Sequence, residues 1–350
     1  MYKIALLLAF ILLSGCSKDS TEKATPLIIN EPYYYQQWSI NSDDLFYSQN
    51  AIDADAHINA GDILNTYSGS SIKVAVIDDG VDVNHEDLAG AISATYNVLT
   101  KSTDVSHTYQ DDIHGTAVTG IIAARLNAKG IVGLARRVQI ISIKIEDSVT
   151  DGDLFDAFSK AEEFGADVIS CSWGTYDVSP VVEDKIIELS NNGRGGKGTI
   201  IVFASGNDNQ DMENDESAIP EVVAVGATNK DNLRAGYSNF GANLDIMAPG
   251  GEYLGITSLD PSGNEGLSSI DENYLLYDDS YAFGGTSASA PMISGVVALM
   301  LEKNPTLTRV EVDRILKEGS DKIGTVSYEN GRNDYYGYGK INLVKIMNLI

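Results

Sequence analysis

Ser287 stands at the entrance of an apolar helix, in Gly284-Gly285-Thr286-Ser287-Ala288-Ser289-Ala290-Pro291. From Ile293 the residues Ile293, Val297, Met300 and Leu301 recur at helical spacing, which predicts that the helix is buried. The preceding glycines let the backbone turn sharply and approach a substrate. N–H groups at a helix N-terminus favour negative charge, such as the oxyanion of acyl transfer. A serine hydroxyl stays a weak nucleophile until a base takes its proton, so this chemistry needs a histidine and an acid. Asp78 and His114 are of those types. Val74-Ala75-Val76-Ile77 reads as a buried parallel strand. It delivers Asp78 to its carboxyl end, where open α/β sheets place their chemistry. His114-Gly115-Thr116-Ala117-Val118 opens a second apolar segment running through Ile121, Ile122 and Ala124. A further buried strand, Thr199-Ile200-Ile201-Val202-Phe203, ends in Ala204-Ser205-Gly206-Asn207.

The set V-I-D-D-G, H-G-T, S-W-G, S-G-N and G-T-S-A-S-A-P resembles the subtilisin-like (subtilase, peptidase S8) serine proteases across residues 31–346. The chain order Asp78, His114, Ser287 is that of subtilisin, the reference case for this order. The resemblance implies an endopeptidase in which Ser287 attacks a peptide carbonyl and His114 takes, then returns, the proton. Asp78 would hold the imidazole in the right tautomer. Asn207 would be a side-chain oxyanion donor beside the Ser287 N–H. Ser172-Trp173-Gly174 would be an extended edge pairing with the substrate backbone as an added strand, although Trp173 also suits plain packing. The implied fold is the subtilisin-like three-layer α/β arrangement, a mostly parallel sheet with helices on both faces.

Asp79 competes with Asp78 for the acid role, but the family pattern puts the acid first in Asp-X-Gly. An aspartate at the second place resembles the kexin-like branch, as do Glu31-Pro32-Tyr33 and Gln36-Gln37-Trp38. Gly337-Tyr338-Gly339-Lys340-Ile341-Asn342 resembles the closing segment of the catalytic domain, so no kexin-type β-rich domain is expected beyond it. Residues 17–30 are too few for a folding propeptide. His85 resembles a structural turn residue, His57 and His107 read as solvated loop residues, and Tyr33-Tyr34-Tyr35 reads as packing.

Between these motifs strand-like and helical runs alternate, which implies a parallel sheet covered on both faces. Helices are expected over 152–164 and 181–191, the second breaking at Asn192-Gly193-Arg194-Gly195-Gly196. Residues 257–280 are polar with little periodicity and read as a surface insertion near the cleft.

The net charge of −26 argues against nucleic-acid binding, which needs a basic face. Part of the acidity could serve calcium. The spacing of Asp87 after Asp78, and of 125–131 after His114, resembles the tight calcium loop of subtilisins. Asp87, Asn127 and the carbonyls of Arg125, Lys129 and Ile131 would supply oxygens, with Glu31 as a sixth ligand. A run of carboxylates, Asp208, Asp211, Glu213, Asp215 and Glu216, follows Asn207. In kexin-like enzymes such groups line the pocket for a basic side chain, which gives an expected preference for Arg or Lys before the cut. Surface solvation would explain the run equally well.

Residues 1–15 combine Lys3, an apolar run from Ile4 to Leu13 and a small-residue exit. The run is too short to span a bilayer and reads as a secretion signal. Leu13-Ser14-Gly15-Cys16 resembles the bacterial lipobox, so Cys16 is expected to be lipidated, with 16–30 a tether and 31–350 the peptidase domain. Lipidation would hold a monomer on the cell envelope of a bacterium through the lipid alone, at the outer membrane, facing the periplasm or exposed at the surface. Cys171, in Val168-Ile169-Ser170-Cys171, has no disulfide partner in the domain and reads as a core residue. Two other functions stay open: a binding or inhibitory protein on a protease scaffold, and a peptide-ligating subtilase.

Overall fold

The computed structural model describes residues 29–109 and 112–350. The expected secretion signal and Cys16 lie outside the described residues. Two short helices, α1 (Asp44–Asn50) and α2 (Gly61–Thr66), precede β1 (Lys73–Asp78) and β2 (Ile92–Asn97). Then come α3 (His114–Ala123), β3 (Gln139–Lys144), α4 (Asp151–Glu163), β4 (Val168–Cys171), α5 (Pro180–Gly196) and β5 (Ile200–Ala204). They are followed by β6 (Val223–Thr228), β7 (Ile246–Pro249), β8 (Ser258–Leu259) and β9 (Tyr274–Leu275). The chain closes with α6 (Thr286–Lys303), α7 (Arg309–Glu318), β10 (Ser320–Asp321), β11 (Lys340–Ile341) and α8 (Leu343–Asn348).

Nine strands form one sheet in the order β10-β11-β7-β6-β5-β4-β1-β3-β2, parallel except for the β10–β11 pair at one edge. Side chains alternate between the faces of a strand, and β1 shows the result. Val74 and Val76 join the core with α3 and α6, whereas Ala75 and Ile77 join the core with α4 and α5. Burial on both faces explains why these strands are almost continuously apolar. The architecture is the subtilisin-like α/β fold expected from the motifs.

Helix α4 starts on a reciprocal capping box between Thr150 and Asp153. Helix α5 loses helical geometry at Gly193, Arg194 and Gly195, where the glycine cluster predicts a break. Helix α6 is buried from Thr286 to Leu301 and packs across β4 to β7.

Residues 257–280 fit the expectation of a surface insertion only in the middle, where 262–273 holds no buried residue, and depart from it at both ends. Thr257, Ser258, Leu259 and Asp260 are buried, and β8 packs on α3 where Gly120 leaves room for Leu259. The apolar runs here are too short to show a period. The polar residues face inward to serve turns: Asp260 accepts the N–H groups of Leu267 and Ser268. His57 and His107 are also not simply solvated. Each is half-buried; His57 Nδ1 accepts the Asn59 N–H, and His107 Nε2 pairs with Thr116 Oγ1 at 3.1 Å. Tyr33 packs edge-on against Tyr274 and Tyr35 against Phe46, as expected of packing residues.

Candidate active site

Asp78 ends β1, His114 opens α3, Asn207 follows β5 and Ser287 lies in the first turn of α6. Parallel strands bring their carboxyl ends to one edge, so residues scattered over the sequence meet there. His114 Nδ1 lies 2.8 Å from Asp78 Oδ1. That bond turns Nε2 away from the acid, into a cleft of about 630 Å³ lined by Asp78, Asp79, His114, Ser172, Trp173 and Gly174. Burial pulls the imidazole toward neutrality. The charge of Asp78, its hydrogen bond and the charge of Asp79 outweigh this and raise His114 to about 9. The ring is a third exposed and is held from one side by the edge of Phe283.

Ser287 Oγ donates to Ser172 O at 3.2 Å rather than to His114. Catalytic contacts are often long or misaligned in unliganded enzymes and tighten with substrate. The reverse contact explains the proline of the motif. Pro291 lacks the N–H that would reach Ser287 O four residues back in the helix. Ser172 Oγ donates to that oxygen instead, at 3.1 Å. The serine is thereby tied at both its hydroxyl and its carbonyl to the residue that follows β4.

Asn207 Oδ1 accepts the Thr286 N–H at 2.9 Å and pairs with Thr286 Oγ1 at 3.0 Å. An N–H can only donate, so the amide oxygen must face Thr286 and Nδ2 must face the other way, where it donates to no partner among the described residues. The Ser287 N–H is a first-turn amide with no helical acceptor, and it has no partner among the described residues. Gly285, at φ +83°, brings the chain against Asn207; a Cβ there would lie 3.2 Å from Asn207 Nδ2. Two donors therefore flank the serine.

Ser172, Trp173 and Gly174 continue from β4, and among the described residues no hydrogen bond is made to the backbone of Trp173 or Gly174. The Trp173 indole does pack, edge-on to Phe203 at 5.3 Å, and its Nε1 donates to Ile77 O. Both readings of Trp173 thus hold: the side chain is a strut and the backbone is open. Behind this segment only part of the acidic run turns inward. Asp215 Oδ2 accepts the Tyr176 N–H, and Glu216 accepts the N–H and hydroxyl of Thr175. Asp208, Asp211 and Glu213 are exposed. A Cβ on Gly174 would meet Asp215 Oδ2 at 2.4 Å, so this carboxylate lies directly behind the open strand.

Away from the cleft, the loop 125–131 folds over Asp87. Asp87 Oδ2 accepts the Ile131 N–H, and Asn127 Nδ2 donates to Glu86 O. Asp87 Oδ1 and Asn127 Oδ1 are buried with no hydrogen-bond partner, and burial pushes the Asp87 carboxyl upward. The carbonyls of Arg125, Lys129 and Ile131 accept no hydrogen bond from the described residues. Unpaired buried oxygens of this kind suit calcium, which takes several oxygens from mixed donors. Glu31 is the exception among the expected ligands. Its Oε1 accepts the N–H groups of Asn127 and Ala128, and its Oε2 that of Lys129. It clamps the loop backbone rather than offering free oxygen. His85 lies beneath: the Asp87 N–H fixes Nδ1 as the acceptor, so Nε2–H donates to Asn273 O and the residue is structural.

A model of the subtilase family matches residues 69–339. The chain is 34% identical over 95% of its length to a calcium-dependent protease of Nostoc sp., of which it spans only 54%. It is 32% identical over 79% of its length to subtilisin E of Bacillus subtilis, spanning 66% of that protein. Among solved structures, the serine protease of Aeromonas sobria in complex with its chaperone superposes with a TM-score of 0.81 at 23% identity. That match covers 91% of this chain and 67% of the other, and it bears on the fold alone. A protease of Pseudoalteromonas arctica gives a TM-score of 0.71 at 25% identity, covering 91% of this chain and 98% of that one.

Proposed function

The chain belongs to the subtilase family of serine proteases, and from that premise we propose that it is an endopeptidase working through Asp78, His114 and Ser287. The observation that carries the reading is the Asp78–His114 contact, which directs Nε2 into the cleft lined by Ser172, the residue to which Ser287 is hydrogen-bonded. Ser287 Oγ attacks the peptide carbonyl carbon as Nε2 takes its proton. The oxyanion accepts from the Ser287 N–H and Asn207 Nδ2. The imidazolium, stabilised by Asp78, returns the proton to the leaving amine, and water then hydrolyses the acyl-enzyme by the same route. A fluorophosphonate probe should label Ser287, and acyl-enzyme should partition to water. Partition to added amines would favour the ligating reading. A pure wild-type protein that is neither labelled nor active would favour a binding protein.

The finer features rest on separate supports. Asp215, buried behind Gly174, supports a preference for Arg or Lys before the cut, since a buried carboxylate discriminates where one in water does not. Asp215→Asn with Glu216→Gln should flatten that preference in a peptide library, and a wild-type profile led by Leu, Phe or Tyr would end the idea. Calcium, if bound, would be held by Asp87, Asn127 and the carbonyls of Arg125, Lys129 and Ile131, where it would close a loop remote from the triad. The likeness to a calcium-dependent protease agrees with this. Anchoring through Cys16 rests on Leu13-Ser14-Gly15-Cys16. Among the described residues no helix is long and apolar enough to cross a membrane. Mass spectrometry should find a lipidated Cys16, and Cys16→Ser should release the protein from the membrane fraction.

A further inference from the structure

Asp79 takes no part in the relay above, yet both its oxygens are committed. Oδ2 accepts the His114 N–H at 3.0 Å and Oδ1 the Gly115 N–H at 2.7 Å. These are the first two amides of α3, which have no acceptor within the helix. Ile113, at the N-cap position, supplies no side-chain bond. The approach depends on Gly115, because a Cβ there would lie 2.1 Å from Gly80 O and 3.0 Å from Asp79 Oδ1. The strand that carries the acid and the helix that carries the base are therefore tied where each presents its side chain.

The charges around this contact are unbalanced. Asp78, the last residue of β1, adjoins Asp79, and His114 faces both from α3. From the segment after β3, Glu146 and Asp147, and from the start of α4, Asp151 line the same cleft. Lys144 gives its ammonium to Ser106 O and Thr108 Oγ1 and lies 3.7 Å from Glu146 and 3.8 Å from Asp112, so it offsets Glu146. No lysine or arginine among the described residues pairs with Asp78 or Asp79. Ser172 to Thr175 bring no charge, and Phe283 is apolar. Burial and Asp78 push the Asp79 carboxyl upward, while His114 and the two amides oppose them.

We propose that Asp79 is a positioning residue: it clamps the first turn of α3 and, through its charge, sets the pH at which His114 becomes a free base. This rests on the peptidase reading of the site. The sign follows from electrostatics. An ionised Asp79 stabilises the imidazolium, so the base is released only on the alkaline side. Removing that charge releases it at lower pH.

The test reads His114 by NMR in a Ser287→Ala background, where no turnover is needed, and reads kcat/KM against pH in proteins that keep Ser287. Asp79→Asn retains an acceptor for one amide and loses the charge. It should lower the His114 midpoint by about one pH unit or more and move the acidic limb of kcat/KM with it. Asp79→Ala should do the same and also lower the high-pH plateau, because both amides lose their acceptor. Glu188→Gln, an equal change of charge on α5, should leave the midpoint where it is. An unmoved midpoint in Asp79→Asn would overturn the electrostatic role, and equal plateaus in the Asn and Ala variants would overturn the clamp. Absence of wild-type turnover would sink the peptidase reading, while the midpoint comparison would still decide the charge effect.

Discussion

Asp78 at the catalytic edge and Asp87 beneath the loop 125–131 are both buried carboxylates with one oxygen paired and one bare. Asp78 Oδ1 meets His114 and the Asp79 N–H, while Oδ2 has no partner. Asp87 Oδ2 meets the Ile131 N–H, while Oδ1 has none. A buried charge is costly unless it is compensated. Asp78 faces a group that can become positive when a proton arrives. Asp87 keeps its bare oxygen in a loop with the bare Asn127 Oδ1, and the titratable group beside it, His85, has both ring nitrogens already hydrogen-bonded. One site is built for a charge that comes and goes, and the other for a charge that stays. What differs is whether the neighbouring imidazole is free to take a proton: His114 keeps Nε2 open toward the cleft, whereas both ring nitrogens of His85 are bound.

The sharpest break of that comparison lies at the first site. Ser287→Ala and His114→Ala should each lower kcat by about 10⁶, the size found in subtilisin itself, because nucleophile and base act as a unit. Neither change should move Tm by more than a degree or two, measured alongside peptide hydrolysis. Substantial residual turnover in either purified variant would dissolve the triad assignment. Asn207→Ala should cost about 10²–10³ in kcat with KM nearly unchanged, again a magnitude taken from subtilisin. A rise in KM with kcat intact would mean that the amide binds the ground state instead.

At the second site the expected effects are reversed. Chelation, or Asp87→Asn, should lower Tm by on the order of 5–10 °C and leave activity at low temperature within a few-fold. An ion at 100 times its Kd adds about 3 kcal/mol to the folded state, and large domains shift by roughly 2–4 °C per kcal/mol. Calorimetry with and without chelator, beside elemental analysis, checks this. An unchanged Tm with no bound metal would remove the calcium site.

The first site was far more legible in the sequence than the second. Asp78, His114, Asn207 and Ser287 each stand at the end of a strongly apolar element, so pattern and residue type point the same way. Asp79 was harder to read. Its partners are backbone amides 35 and 36 positions away, and backbone donors carry no residue type. The acidic run shows another limit, since carboxylates advertise charge and not direction. Asp215 and Glu216 turn inward because they accept the N–H groups of Tyr176 and Thr175, while Glu213 is exposed. In residues 257–280 the strands are only two residues long, too short for periodicity to register.

Glu31 joins the two regions of the comparison to the question of what a carboxylate in a loop is for. Its residue type fits a calcium ligand, but its oxygens receive three backbone N–H groups within 2.8 Å. Charged hydrogen bonds contribute about 1.5–3 kcal/mol each, with large context dependence. Glu31→Gln keeps one acceptor oxygen and turns the other into a donor facing an N–H. The expected loss is a few degrees in Tm, and the informative measurement is made in chelator. If Glu31 is a clamp, the substitution lowers Tm by a similar amount with and without calcium, because the amides it holds are present in both states. If it were purely a ligand, chelator would abolish the difference between the two proteins. Equal melting temperatures in chelator, with a gap appearing only on adding calcium, would return Glu31 to the metal and withdraw the clamp.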